Sequence, residues 1–155
     1  MKKFILAIGI FAALVLLNPM ANAMSGIGLY GNLVGNGTGT GGGGGLTIRS
    51  GSFPVIGLEW NFLPHNSIAG VSLDGWLVNQ PLSDRLSYYL GIGGYAAASG
   101  TNTLDIFNFG ARIPLGLQLF PVDPLEVFLE VAPMIVLVPA VDWTVSARLG
   151  FRILY

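Results

Sequence analysis

Eight charged residues lie in segments that alternate between apolar and polar side chains, and their types could support chemistry. Carboxylates beside arginines can act as general acids and bases, or they can form ion pairs with a purely structural role. Which of the two roles applies depends on where the secondary-structure elements place these residues. The basic residues are Arg49, Arg112, Arg148 and Arg152, and the acidic residues are Glu59, Asp74, Glu126 and Glu130.

Ion pairing explains this set better than catalysis does. Glu126 and Glu130 share one face of a predicted strand close to arginines, which would suit an acid/base site. Buried charges must be paired whether or not they react, however, because an isolated buried charge costs several kcal/mol. His65 is the single histidine and lies in a predicted loop, so a nucleophile activated by histidine is hard to build. We therefore predict no enzymatic activity and no catalytic, cofactor or metal site.

The elements that position these charges are predicted to be strands, and residues 143–155 illustrate the pattern best. Apolar side chains from Trp143 to Tyr155 alternate with small or polar ones that include Arg148 and Arg152. About twelve steps of roughly 3.3 Å, tilted by about 40°, rise about 30 Å, which is the hydrocarbon thickness of a bilayer. Lipid cannot hydrogen-bond free backbone groups, so such a strand requires a closed barrel.

Eight segments of this kind are predicted, separated by turn-forming residues. All eight charges fall on the polar faces. Glycines such as Gly57 and Gly116 lie on the same faces, where they would leave room for long side chains in a narrow interior. The predicted strands are residues 26–34, 44–50, 54–62, 67–78, 86–97, 105–119, 125–138 and 143–155.

The same alternation could serve two opposite geometries. A soluble barrel turns its apolar faces inward, whereas a membrane barrel turns them towards lipid. Only 10% of the residues are charged, which is too few for an ordinary soluble surface. We therefore predict an all-β, eight-stranded, antiparallel up-and-down transmembrane barrel, with a soluble periplasmic lipid-binding barrel as the rival fold. Aromatic girdles at the lipid interfaces are predicted from Trp60, Phe62, Tyr88, Phe107, Trp143 and Tyr155.

Residues 1–23 have the organisation of a cleaved signal peptide. Lys2 and Lys3 precede an apolar stretch, and Ala21-Asn22-Ala23 forms a cleavage site before Met24. The mature barrel would then comprise residues 24–155, with five arginines, eight acidic residues and a net charge of −3. This charge argues against a nucleic-acid partner, and the lack of cysteine excludes a disulfide framework and a lipoprotein anchor.

Local features of three kinds are expected to modify the strands. The glycine run at residues 41–45 is predicted to form a flexible rim loop, since no Gly-Lys-Ser/Thr follows to make a phosphate loop. Pro114 and Pro133 each remove a hydrogen-bond donor from a strand, so bulges are expected there. Residues 134–138 are apolar on both faces, which indicates either a shift of register after Pro133 or an apolar end of the lumen.

The chain resembles the small eight-stranded outer-membrane barrels, the class of OmpX and the OmpA transmembrane domain. The signal peptide, the alternating strands and the aromatic residue that ends the last strand carry this resemblance. In that class the C-terminal aromatic, usually phenylalanine, is part of a signal read by the barrel-assembly machinery, and here it is Tyr155. The resemblance implies location in a bacterial outer membrane and contact with its lipid.

A narrower resemblance covers the C-terminal half of the chain. The segments LGIGGY at residues 90–95, ARIPLGL at 111–117 and PLEVFLEVAP at 124–133 look like parts of an uncharacterised family of short bacterial barrels known chiefly in spirochaetes. That family implies no established activity.

Topology and function follow from this arrangement as expectations. With Tyr155 in the periplasm, the turns at Gly51, 80–85 and 121–124 are also periplasmic. The interior of an eight-stranded barrel is just filled by its side chains. We therefore expect an integral outer-membrane protein with a structural or interaction role and no wide pore. The alternatives are a surface binder or adhesin with an unknown extracellular ligand, and a narrow channel. The expected external loops are residues 35–43, 63–66, 98–104 and 139–142.

Overall fold

The computed structural model describes residues 24–36, 39–63, 66–101 and 104–155. The predicted signal peptide and His65 lie outside these ranges. Within them, no helix is long and apolar enough to cross a membrane. The strand segments are β1 (Ser25–Asn36), β2 (Gly39–Ser50), β3 (Val55–Leu63), β4 (Asn66–Ser83), β5 (Leu86–Thr101), β6 (Leu104–Arg112), β7 (Leu115–Val122), β8 (Leu125–Val138) and β9 (Asp142–Leu154).

These segments form one closed antiparallel barrel. Each strand from β1 to β5 pairs with the next along the chain, and β8 pairs with β9. The segments β6 and β7 both lie between β5 and β8, so together they form one of the eight strands of the barrel. Pairing of β1 with β9 closes the ring. The predicted all-β, eight-stranded antiparallel barrel is thus confirmed.

Several predicted connections are shorter in the structure because the strands extend further. The prediction of a rim loop at the glycine run is wrong: residues 41–45 lie inside β2 and pair with β1, and residues 42–45 also pair with β3. Likewise β4 continues to Ser83, so the expected turn at residues 80–85 shrinks to the two residues before Leu86. Pairing with β1 and β3 holds the glycine-rich stretch in extended conformation despite its low strand propensity, and pairing with β5 does the same for the end of β4.

Neither proline produces the predicted bulge. The strand formed by β6 and β7 is interrupted at Ile113 and Pro114, but its register with β8 is the same immediately before and after the interruption. Pro133 lies within β8 and keeps its place opposite Val145 of β9. The carbonyl of Pro133 accepts the Ile113 N–H at 3.0 Å. The carbonyl of Pro114 accepts the N–H of Gly91 in β5 at 2.8 Å, so each proline keeps a cross-strand hydrogen bond through its carbonyl group.

The apolar stretch at residues 134–138 belongs to an apolar end of the lumen. Towards β9 the register of β8 stays constant from Leu125 to Val136, whereas towards β6 it shifts by one residue between Val136 and Val138. Met134 is buried and Val136 lines an internal cavity. Both features that the sequence offered as alternatives are therefore present: an apolar end of the lumen, and a shift of register towards β6.

Apolar and polar residues are distributed in the reverse of a soluble protein. Large apolar side chains such as Leu29, Leu129 and Leu149 are about half exposed or more on the outer face. The interior instead buries arginines, carboxylates and amides, with Arg112 and Glu126 almost fully enclosed. An exterior of this kind is stable only against an apolar surrounding.

An arginine in the middle of the outer face tests this distribution. Leu149→Arg places a charge at an outer position of β9 that is 60% exposed. We expect it to destabilise the barrel in lipid vesicles by about 2–4 kcal/mol, measured by denaturant unfolding. The control is Val141→Arg, which lies between β8 and β9. Equal stability of the two variants would contradict an outer face that contacts lipid.

Candidate functional site

The register between β8 and β9 assembles the core of the charged lumen. Glu126 lies directly opposite Arg152, and Glu130 lies directly opposite Arg148. The two glutamates and the two arginines are each four residues apart, so an antiparallel pairing brings both oppositely charged pairs together on the inner face. Two ion-pair clusters grow from these cross-strand pairs.

The lower cluster is centred on Glu126 and lies near the end of the barrel where Ser25 and the C-terminal Tyr155 meet. The two carboxylate oxygens of Glu126 each bind one arginine, Arg49 at 2.7 Å and Arg152 at 2.5 Å. Gln118 Nε2 also donates to Glu126 at 2.8 Å, and Arg152 Nε donates to Thr47 Oγ1 at 3.1 Å. One buried carboxylate therefore serves two buried guanidinium groups, and the cluster carries one excess positive charge.

The upper cluster lies nearer the opposite end and joins three acids to two arginines. Arg148 binds Glu59 at 2.7 Å and Glu130 at 3.4 Å. Arg112 also binds Glu130, and its Nε lies 3.5 Å from Asp74. This cluster has one excess negative charge, which balances the lower cluster and leaves the eight charges neutral as a set.

Aromatic side chains connect the two clusters and fill the lower end of the lumen. Tyr89 donates its hydroxyl to Glu130 at 2.7 Å, and its ring stacks on Trp76 with 4.1 Å between centroids. Arg49 lies 4.6 Å above the Trp76 ring, and Arg152 lies 3.8 Å above the Phe128 ring. Cation–π contacts of this kind stabilise arginines that have lost their water. Together these residues form a plug that closes the lower lumen.

The structure thus brings all eight predicted charges into the interior, but four important members of the network were missed. Tyr30, Asn32, Tyr89 and Phe128 all point inward and are buried. The sequence contained the information needed to find them. Each lies an even number of residues from an inward glycine or glutamate on the same strand, and residues spaced in this way share a face. The period-two alternation alone would have placed them inside the barrel.

Inward glycines make room for these side chains. A Cβ atom at Gly57 would lie 2.7 Å from Ser72 Oγ, 3.0 Å from Tyr30 Oη and 3.3 Å from Arg148 Nη1. A Cβ atom at Gly116 would overlap the Tyr89 ring. Glycine therefore provides the volume that lets arginines and tyrosines cross a narrow barrel.

The predicted girdle residues lie on the outer face near strand ends. Tyr88 is half-buried there, close to the turn between β4 and β5. The strongly exposed ones are Trp60 at 53%, Phe62 at 65%, Phe107 at 58%, Trp143 at 66% and Tyr155 at 80%. Their contact with a lipid interface is a proposal that follows from this placement.

The charged side chains of the lumen pair with one another and fill the interior. Each of the four acids contacts at least one arginine. In the part of the chain that the structure describes, no group of His, Cys, Asp or Glu side chains could hold a metal ion. Ion pairing accounts for the carboxylates Glu126 and Glu130 without an enzymatic role.

Solved structures of outer-membrane barrels share this architecture. The N-terminal barrel domain of Pseudomonas aeruginosa OprF is similar over 84% of this chain and 99% of its own, with a TM-score of 0.56 and 11% identity. Neisserial surface protein A matches over 85% and 96%, with a TM-score of 0.54 and 12% identity. Ail, the attachment invasion locus protein of Yersinia pestis, matches over 87% and 100%, with a TM-score of 0.55 and 15% identity.

These likenesses show the fold, at identities too low to show more. No protein-family model matches the chain, and no curated protein does. The narrower resemblance to a spirochaete barrel family receives no support. The chain therefore has the fold of the small eight-stranded outer-membrane barrels.

Glu126→Gln tests whether the lower cluster depends on its shared carboxylate. The change leaves Arg49 and Arg152 buried without a counter-charge, and we expect it to lower the free energy of unfolding by about 3–5 kcal/mol. Denaturant titration of the refolded protein in vesicles measures this. Arg85→Gln is the control, because the exposed Arg85 side chain donates a hydrogen bond to Pro121 O at 3.3 Å and lies outside both clusters. A loss no larger than in this control would show that the cluster does not hold the lumen together.

Proposed function

We propose that this chain is an integral protein of the bacterial outer membrane with a structural or interaction role. The single observation that carries the proposal is its inverted distribution of residues: a paired, charged interior inside a continuous apolar exterior. Only lipid solvates such an exterior, and only a closed barrel satisfies the backbone there. The likeness to OprF, Neisserial surface protein A and Ail supports the same location.

The proposed orientation places both chain termini in the periplasm. The Tyr155 N–H donates to Ser25 O at 2.9 Å, so the two ends of the barrel chain meet at one rim. The short turns after β2, β4 and β7 lie at this rim. Export by a cleaved signal peptide at residues 1–23 and recognition of β9 by the barrel-assembly machinery complete the proposal.

A filled lumen favours a structural role over a wide pore. Below the upper cluster, the plug of Trp76, Tyr89 and the arginines occupies the cross-section. A gap of about 10 Å³ lies beside Asp74, Glu130 and Arg148, roughly the space of one water molecule. Ions would have to displace paired charges to pass, which argues against even the narrow channel.

A surface binder is the second candidate function. The name of Ail refers to attachment and invasion, which is said of that protein. Here, the connections at the proposed external rim span only two or three residues between strand ends, after β1, β3, β5 and β8. Such short connections offer little surface for a protein partner.

Cell fractionation tests the location. We expect the expressed protein in the outer-membrane fraction, with a gel mobility that changes on heating because the folded barrel resists detergent. Recovery in the soluble periplasmic fraction would instead support a lipid-carrying barrel and overturn the proposal.

Conductance tests the filled lumen. Refolded protein in a planar bilayer should give no openings of porin size. A plug variant, Trp76→Ala with Tyr89→Ala, should raise the conductance because it removes the stacked rings. Large openings in the unaltered protein would contradict a closed lumen. Heat-dependent gel mobility would verify that the protein used in the bilayer had folded.

A further inference from the structure

The lumen is open at one end, where it forms a cup. The cup lies above the upper cluster, at the rim opposite the chain termini, and has a volume of about 300 Å³. That volume is at the lower limit of pockets that bind small molecules. Its wall includes Tyr95, Met134, Val136 and Pro139, so much of it is apolar or aromatic.

The floor of this cup is closed. Glu59 lies on the floor, held by Arg148 at 2.7 Å and by Asn32 Nδ2 at 3.1 Å. The ion pairs of the upper cluster and the plug lie beneath it. A molecule that enters the cup therefore stops there, as in a binding pocket.

The lining of the cup is acidic. Glu59 and Asp142 both line it, whereas none of its described lining residues is basic. Arg148 neutralises Glu59, but Asp142 is exposed and its Oδ1 accepts only a backbone hydrogen bond, from the Trp143 N–H at 2.8 Å. Among the described residues, Asp142 takes part in no ion pair. The cup therefore keeps one negative charge that no side chain balances.

A buried acceptor in the wall is also unused. Asn61 lines the cup, is only 4% exposed, and its Oδ1 has no hydrogen-bond partner among the described residues. A buried polar atom without a partner is unfavourable, because it has given up its hydrogen bonds to water. A ligand that donates a hydrogen bond would remove this cost.

We propose that the cup binds a small organic cation, a primary ammonium group that carries an apolar or aromatic portion. The ammonium group pairs with Asp142 and donates to the amide oxygen of Asn61. The apolar portion contacts Met134 and Val136, and the face of Tyr95 can support the positive charge. An anion of the same size would meet the carboxylates without a basic residue to receive it.

Three probes of matched shape test the proposal on the full barrel in zwitterionic lipid nanodiscs. They are 2-phenylethylamine, 2-phenylethanol and 3-phenylpropionate, which place an ammonium, a hydroxyl or a carboxylate at the end of the same arm. Amide NMR shifts of Asn61 and Tyr95 report binding, and empty nanodiscs correct for partition into lipid. We expect saturable binding of the amine, tighter than that of the alcohol by about five- to tenfold, and the weakest binding for the carboxylate.

Matched variants assign the binding to the cup. Asp142→Asn should weaken binding of the amine by a similar five- to tenfold factor. Asp123→Asn, at the turn between β7 and β8 on the opposite rim, should leave it unchanged. Ala97→Trp should fill the cup and abolish binding, while heat-dependent gel mobility verifies that the variant folds.

Other results would overturn the inference. These are equal binding of the three probes, no saturable shift with the amine, or an affinity unaffected by Asp142→Asn. Each of them leaves location and conductance untouched, so failure here is distinct from failure of the proposed function.

Discussion

The pairing of Glu126 with Arg152 and of Glu130 with Arg148 across β8 and β9 is the interaction on which the rest of the lumen depends. Charges enclosed in a barrel of this width have little water, so each must find a counter-charge among its neighbours. The two cross-strand pairs supply that framework, and the remaining charges join it from β2, β3, β4 and β6. A shift of one residue between β8 and β9 would turn both arginines outward. The same pairing therefore fixes the register of the C-terminal strand.

The charges in the lumen balance over the two clusters together but not within either cluster. The lower cluster has one acid for two arginines, and the upper cluster has three acids for two arginines. Tyr89 links them through its hydrogen bond to Glu130, and aromatic faces stabilise the arginines of the lower cluster. The excess negative charge thus lies nearer the cup, and the excess positive charge lies nearer the chain termini. This polarity along the axis makes the open end of the barrel more attractive to cations than to anions.

The two ends of the lumen differ because the side chains that fill them differ in size. At the lower end, Trp76 and Tyr89 stack on each other, and Arg49 and Arg152 lie against aromatic rings, so bulky side chains occupy the lumen. At the upper end, small residues such as Gly35, Ala97 and Ala140 line the wall, and a cavity remains. A closed barrel of eight strands has a nearly fixed width, so the volumes of its inward residues decide whether it is filled or open.

Local sequence is enough to assign the inside and the outside of this protein, since a period of two places every strand residue on a face without knowledge of its partners. It therefore placed Arg49, Glu59 and the other six charges in the interior and indicated a membrane barrel. Only the tertiary structure decided which acid meets which arginine, because partners such as Arg49 and Glu126 come from strands far apart in the chain. It also decided that the glycine run is a strand, because hydrogen bonds from β1 and β3 outweigh the low propensity of glycine. The register is continuous at Pro114 and Pro133 for a similar reason. Pairing with the neighbouring strands holds it there, and contact between strands is not encoded in either local segment.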